Sequence, residues 1–417
     1  MGRIMKRVAV TGVGVVAPCG IGKEVFWNNI KQGKSFVSPI NRFDASRYPS
    51  RIAGQIKDLN SYSNFSPRLL RKIDDFSHMS LIAADLALKD ANLDLSKEDP
   101  LRVGIFMGNA LGGWLYAETE LRDLYIEGRD GVSPYLASAW FPAAPQGQIS
   151  IYYGIKGYSK TVVADRASSL MAIDYATNII KKGKVDIALA GGTEAPITPY
   201  ALLCCSTYGS LSTRNEHPQC AYRPFDKSRD GFVIGEGAGI LILEDIEHAR
   251  KRGAYIYALI TGLGVTSDGF DRIEPDPNGT GLIRAIRLAL SEAGYPPCDI
   301  DYICADGAAT RWGDVSETKA IKKVFSECSQ IPPVSAPKSM FGNLLGASGS
   351  VDLIITLLAM ENALIPPTIN LRVSDPECDL DYVPHKSRSK EVKRALVISR
   401  GRGGINAVLA VERVDRG

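Results

Sequence analysis

The chain has 417 residues, 45% of them hydrophobic and 23% charged, with a formal net charge of +3. That is the make-up of a globular protein with a large core, and the small net charge gives no case for nucleic acid or a membrane surface as partner. No run approaches the 18 apolar residues of a spanning helix, and the eight cysteines contain no C-x-x-C pair. The expectation is a cytoplasmic, reduced protein with no metal, no cofactor and no disulfide framework. An acidic partner would need a local basic patch.

The first element is Val10-Thr11-Gly12-Val13-Gly14-Val15, a short buried strand predicted to end at glycines that permit a tight turn. A helix over 84–91 and a strand over 103–107 follow. Next come a helix over 169–182, a strand over 187–190 ahead of Gly191-Gly192, and a strand over 240–243. The opening motif then returns as Ile260-Thr261-Gly262-Leu263-Gly264-Val265, again followed by a helix (285–293) and a strand (302–305). A second helix over 349–362 is apolar nearly all round, as a buried helix must be, and a last strand covers 395–398. The same order of elements twice over predicts duplicated α/β halves, residues 1–250 and 251–417, packed as one body without a linker.

Three runs carry the chemistry: Val163-Ala164-Asp165-Arg166-Ala167, Ala305-Asp306-Gly307-Ala308 and Pro337-Lys338-Ser339-Met340-Phe341-Gly342-Asn343. They resemble the three active-site motifs of β-ketoacyl synthases. Further matches at 7–20, 190–194, 222–226, 231–238 and 401–407 extend the resemblance over essentially the whole chain. It implies a thiolase fold, two similar α/β halves in five α-β-α-β-α layers. In that family the motifs hold a Cys nucleophile, which attacks an acyl thioester, and two His residues, which assist decarboxylation and stabilise the thioester oxyanion. Here the same positions hold Arg166, Asp306 and Asn343, and the four histidines, His78, His217, His248 and His385, lie elsewhere. A guanidinium is not a nucleophile at neutral pH, and an amide cannot exchange a proton as imidazole does. Lys338 matches the family's lysine and reads as a positioning or structural residue.

Arg166 has two readings. It fills the former pocket and pairs with Asp165, Asp306 or another carboxylate, because a buried, unpaired guanidinium is costly. Alternatively, it holds a malonyl carboxylate or a phosphopantetheine phosphate. Cys204 and Cys304 could be proposed as substitute nucleophiles, but without a histidine partner they read as small buried hydrophobes.

A closer resemblance is to the chain-length factor, the β-subunit of type II polyketide synthases, whose motif here is Val163-Ala164-Asp165-Arg166-Ala167 with Arg in place of that family's Gln. Arg402, in Arg400-Gly401-Arg402-Gly403, replaces the phenylalanine gate of active enzymes. This resemblance implies a heterodimer with an active ketosynthase α-subunit, an acyl carrier protein as second partner, and a polyketide tunnel along the heterodimer interface. The tunnel's closing residues would be Trp114, Ala117 and Leu121, whose i, i+3, i+7 spacing forms one stripe of a helix. An aromatic polyketide is the expected product, with a polyene-type system still open. Two other readings stay open: a malonyl-carrier-protein decarboxylase or priming subunit acting through Arg166 and Asn343, and a stand-alone acyl-binding protein with a dead pocket.

Overall fold

In the computed structural model, which describes residues 6–62, 65–207 and 209–414, ten strands form one hydrogen-bonded path. They are β1 (Val8–Ala17), β2 (Val103–Gly108), β3 (Ser159–Val162), β4 (Ile187–Glu194), β5 (Gly237–Asp245), β6 (Ala258–Ser267), β7 (Tyr302–Cys304), β8 (Val334–Ser335), β9 (Arg394–Gly401) and β10 (Ile405–Glu412). Their order is β8-β7-β9-β10-β6-β1-β5-β4-β2-β3, so each half contributes five strands in matching positions about the β1–β6 junction. That junction is short, pairing only Val8 to Val10 with Ala258 to Ile260. Beyond it the two halves separate and admit a layer of helices.

Strand periodicity assigns the layers. Val8, Val10, Val13, Leu241, Leu243, Ala188 and Ala190 point into one apolar cluster together with Ala395, Val397, Leu409 and Val411 from the other half. The helices filling that cluster are Ser168–Lys181 and Ser348–Asn362, the second buried on every side through Met360. The alternate residues Ile187, Leu189, Ile240 and Ile242 face helix Asp75–Asp90 on one outer side. Leu396, Ile398, Val408 and Ala410 face helices Thr280–Ala293 and Arg311–Val324 on the other. Side chains two apart share a face, so each strand serves two cores. The result is the expected five-layered α-β-α-β-α arrangement.

The glycine motifs behave differently from expectation. β1 and β6 do not turn at their glycines but run through them for ten residues each. A side chain at Gly12 or Gly14 would strike the backbone of Ala87 or Ala83, and one at Gly262 or Gly264 that of Ala289 or Ala285. The glycines therefore permit close approach of a helix to a strand. Both strands also slip register at the same place, between Val10 and Gly12 and between Ile260 and Gly262. The strand predicted over 187–190 likewise continues through Gly191-Gly192 to Glu194.

A second correction concerns the cysteines. Cys298 and Cys328, 30 residues apart, form a disulfide that ties together the connections following helices Thr280–Ala293 and Arg311–Val324. Chance spacing in the sequence concealed a pair that the fold brings together. Closing a loop of that length restricts the unfolded chain, so Cys298→Ser should lower stability by about 2–4 kcal/mol. Urea unfolding with and without a reductant checks this: the reductant should act on the native chain and not on the variant. Among the described residues, no helix is long and apolar enough to cross a membrane.

Candidate functional site

Arg166 lies between β3 and the long buried helix Ser168–Lys181. Asp165 adopts a φ of 50°, and the Ser168 hydroxyl closes the turn by accepting the Ala164 N–H at 2.8 Å. The Ser399 hydroxyl donates to the Arg166 carbonyl at 2.9 Å. A helix N-terminus favours an anion such as a thiolate and opposes a cation. The guanidinium is nonetheless held there by two carboxylates: Nε lies 3.6 Å from Asp165 and Nη1 3.6 Å from Asp306. Burial works against its charge, but Asp306 and Asp165 outweigh burial and raise its pKa.

Asp165 also clamps the Gly401–Gly404 turn, accepting the Arg402 backbone N–H at 2.7 Å and an Nη2 contact at 3.3 Å. Burial pushes the Asp165 carboxyl up, and the Arg166 and Arg402 charges more than reverse that, holding it below the usual range. The Gly401–Gly404 turn is therefore latched by an ion pair.

Asp306 follows β7. Its N–H and that of Gly307 donate to Glu317 at 2.8 and 2.9 Å, and its Oδ1 accepts the Arg400 N–H at 3.2 Å. Glu317 is pushed up to about 7 by burial and by the neighbouring Asp306 charge. Lys338 sits behind this loop, fully buried. It donates to the carbonyls of Ala305 and Asp306 at 3.0 and 2.9 Å and pairs with Asp352 at 2.6 Å. Burial would lower the Lys338 pKa; Asp352 and then Asp306 raise it instead. The Asn343 side chain is also fully buried. Its Oδ1 accepts Leu345 N–H and the Ser348 hydroxyl, both at 3.0 Å, and its Nδ2 lies 3.5 Å from the Tyr222 hydroxyl.

A cavity of about 310 Å³ opens over this cluster, with Arg166, Asp306, Arg402, Phe232 and Trp312 in its wall. No cysteine or histidine is among the described residues lining it, and neither is Asn343. Cys304 is completely buried, with its thiol pushed up by burial, while burial pushes Cys205 up to about 11. Cys204 departs from expectation and is half-buried. His78 is buried in helix Asp75–Asp90, His248 lies between Glu244 and Glu98, and His217 and His385 are exposed. The structure thus brings Arg166, Asp306 and Arg402 together, with Lys338 as support. Arg400, named in the sequence reading only as part of the 400–403 run, and Glu317, not singled out there, complete the network. Glu317 stands in the polar run Ser316-Glu317-Thr318-Lys319, so nothing local sets it apart from a solvated helix face.

Trp114, Ala117 and Leu121 lie on helix Trp114–Glu127, away from the cavity. Gly112 and Gly113 begin it because side chains there would strike the Trp140 and Ala139 carbonyls, and Gly113 N–H bonds Trp140 O at 2.9 Å. Asp74, which caps helix Asp75–Asp90 through Phe76 N–H, also takes Tyr116 N–H at 2.7 Å and so fixes one helix start against the other. Ala117 is buried and Leu121 exposed, while the Trp114 ring packs 4.5 Å from Tyr200, an unforeseen neighbour, and 6.4 Å from Trp140.

The N-terminal and C-terminal domains described as β-ketoacyl synthase match residues 5–249 and 257–372. The chain belongs to the β-ketoacyl synthase family. It is 38% identical over 410 residues to 3-oxoacyl-(acyl-carrier-protein) synthase 2 of Staphylococcus aureus (strain COL), covering 98% of this chain and 99% of the relative. The corresponding Coxiella burnetii (strain RSA 493 / Nine Mile phase I) synthase is 37% identical over 409 residues, with the same coverage. Among solved structures, the ishigamide ketosynthase/chain length factor superposes with a TM-score of 0.91 at 32% identity, covering 99% of this chain and all of that one. A type II PKS acyl-carrier protein in complex with its ketosynthase bound to the hexaketide gives 0.90 at 35%, covering 98% of this chain and 100% of that chain.

Proposed function

We propose that this β-ketoacyl synthase family member is a non-catalytic chain-length factor that pairs with an active ketosynthase and limits polyketide length by shape. The observation that carries the reading is the cavity wall: a guanidinium held by two carboxylates stands at the position that the resemblance gives to the nucleophile, with no thiol or imidazole among the described residues lining the cavity. The curated relatives are synthases by name, whereas positions 166, 306 and 343 of this chain lack the Cys and two His that the resembling motifs imply for an active enzyme.

A partner is supported by the surface. β3 closes one end of the sheet with unpaired backbone groups, and exposed strand edges of this kind invite pairing. Tyr158 and Val163, which flank it in sequence, are exposed, and so is Ile151 on the helix Ala144–Tyr153 that packs against it, apolar side chains of the sort that interfaces cover. The opposite edge strand, β8, has two residues and is buried. The acyl carrier protein is the second proposed partner, by analogy with the ketosynthase complex just described.

The alternatives gain nothing from the geometry. A decarboxylase using Arg166 and Asn343 needs both at the cavity, and the Asn343 oxygen and amide serve the protein's own backbone and hydroxyls. An acyl-binding pocket should be largely apolar, whereas this one includes Arg166, Arg229, Asp230, Asp268, Glu274 and Asp306. Supplied alone with acyl- and malonyl-carrier proteins, the chain should form no elongated ketide; co-expressed with an intact ketosynthase, it should recover as a one-to-one complex that does. Elongation by the chain alone overturns the proposal.

A further inference from the structure

A second basic depression, of about 570 Å³, lies outside the degenerate cavity and surrounds a thiol. Its wall includes Arg214, Arg223, Arg372, His217, Glu216 and Cys220. The six unpaired cysteines divide sharply: Cys19, Cys205, Cys304 and Cys378 are buried, and only Cys204 and Cys220 are partly open among the described residues. Cys204 lies beside Tyr200, near the proposed stop. Cys220 is different, because a guanidinium addresses its sulfur directly: Arg372 Nη2 donates to Sγ at 3.2 Å.

The wall of the depression is predominantly cationic, with Asp226 and Asp230 standing behind Arg223 and Arg214. Arg223 is 92% buried by its 8% exposure, yet its Nε meets no acceptor; its other nitrogens bond Ser228 Oγ and the Cys220 carbonyl. Burial, and then the like charge of Arg214, lower its pKa. Arg214 is 3.5 Å from Asp230, while Glu216, the acid in the wall, is 3.5 Å from Arg51. Three guanidinium groups therefore line a depression holding a partly open thiol, one of them bonded to its sulfur, with Glu216 as the one wall carboxylate, and the buried Arg223 Nε remains unsatisfied. Reactive cysteines occupy electropositive, partly exposed surroundings of this kind, and arginines recognise carboxylates through paired N–H donors.

We propose that Cys220 is a modification site for small disulfides bearing carboxylates. The Cys220 thiolate attacks one sulfur of the incoming disulfide; a new Cys220–S–S–R bond forms as the original S–S bond breaks. The departing thiolate takes up the proton that Cys220 released, and the disulfide itself is the oxidant, so no other reagent is required. The arginines hold the carboxylates while the thiol is exchanged. This inference does not depend on the proposed chain-length function.

The test uses two probes on the full chain, glutathione disulfide (anionic) and cystamine (cationic), with the modified cysteine located by peptide mass mapping. Cys220 should be the first site taken by glutathione disulfide. Relative to cystamine, the preference should fall by about fivefold in Arg372→Gln and fall also as salt is added. Arg372 is exposed, so the variant should fold, and Cys220→Ser should abolish the first modification in otherwise unchanged protein. Reaction first at Cys204, a glutathione-to-cystamine ratio unmoved in Arg372→Gln, or a ratio insensitive to salt overturns the proposal.

Discussion

Arg166→Gln should destabilise the protein by about 3–5 kcal/mol, the cost of removing one member of a buried charge network. The Gln is the residue of the resembling subunits, so a sequence comparison alone would rate the change as harmless. Here it would leave Asp306 without its guanidinium partner at 3.6 Å and Asp165 with Arg402 alone. Arg166→Gln combined with Asp306→Asn should recover most of the loss, since the second change removes the stranded charge. Urea unfolding of the two single variants and the double variant gives the coupling directly. Additive effects would mean that Arg166 and Asp306 do not act as a pair.

On the proposed function, Trp114→Ala should lengthen the polyketide made with an active ketosynthase partner, and Ala117→Phe should shorten it. Adding a group to a filled interior costs about 1–3 kcal/mol, enough to make each ketide beyond the stop several-fold to more than a hundredfold less favourable. The Trp114 ring is backed by Tyr200 and Trp140, so its position is set by contacts that a growing chain would have to displace. Mass analysis of the products, with native mass measurement of the complex as the control, reads both variants. Unchanged lengths in an intact heterodimer would remove the stop assignment.

Much of the fold was legible because burial has a period. The continuous apolar runs of β5 and β9, buried on both faces, and the all-round apolar helix Ser348–Asn362 each point to one place in a layered structure. The repeated glycine motif signalled duplication correctly but not its cause. Only the packed helices show that Gly14 and Gly264 answer to Ala83 and Ala285, since no local pattern distinguishes a turn glycine from one that admits a neighbouring backbone. The disulfide was invisible for a similar reason: Cys298 and Cys328 are distant in sequence and meet through the ends of two helices.

By itself, the sequence determined that residues 166, 306 and 343 carry no thiol and no imidazole, because the identity of a reacting atom is a local property. Only the tertiary structure decided what the replacements do. Arg402 reaches Asp165 across 237 residues of chain to share it with the adjacent Arg166, Asp306 meets Arg166 from the other half, and Asn343 turns away from the cavity. Whether a charge is tolerated in a buried site depends on which opposite charges reach it and how much water remains, and both are consequences of packing rather than of neighbours in sequence.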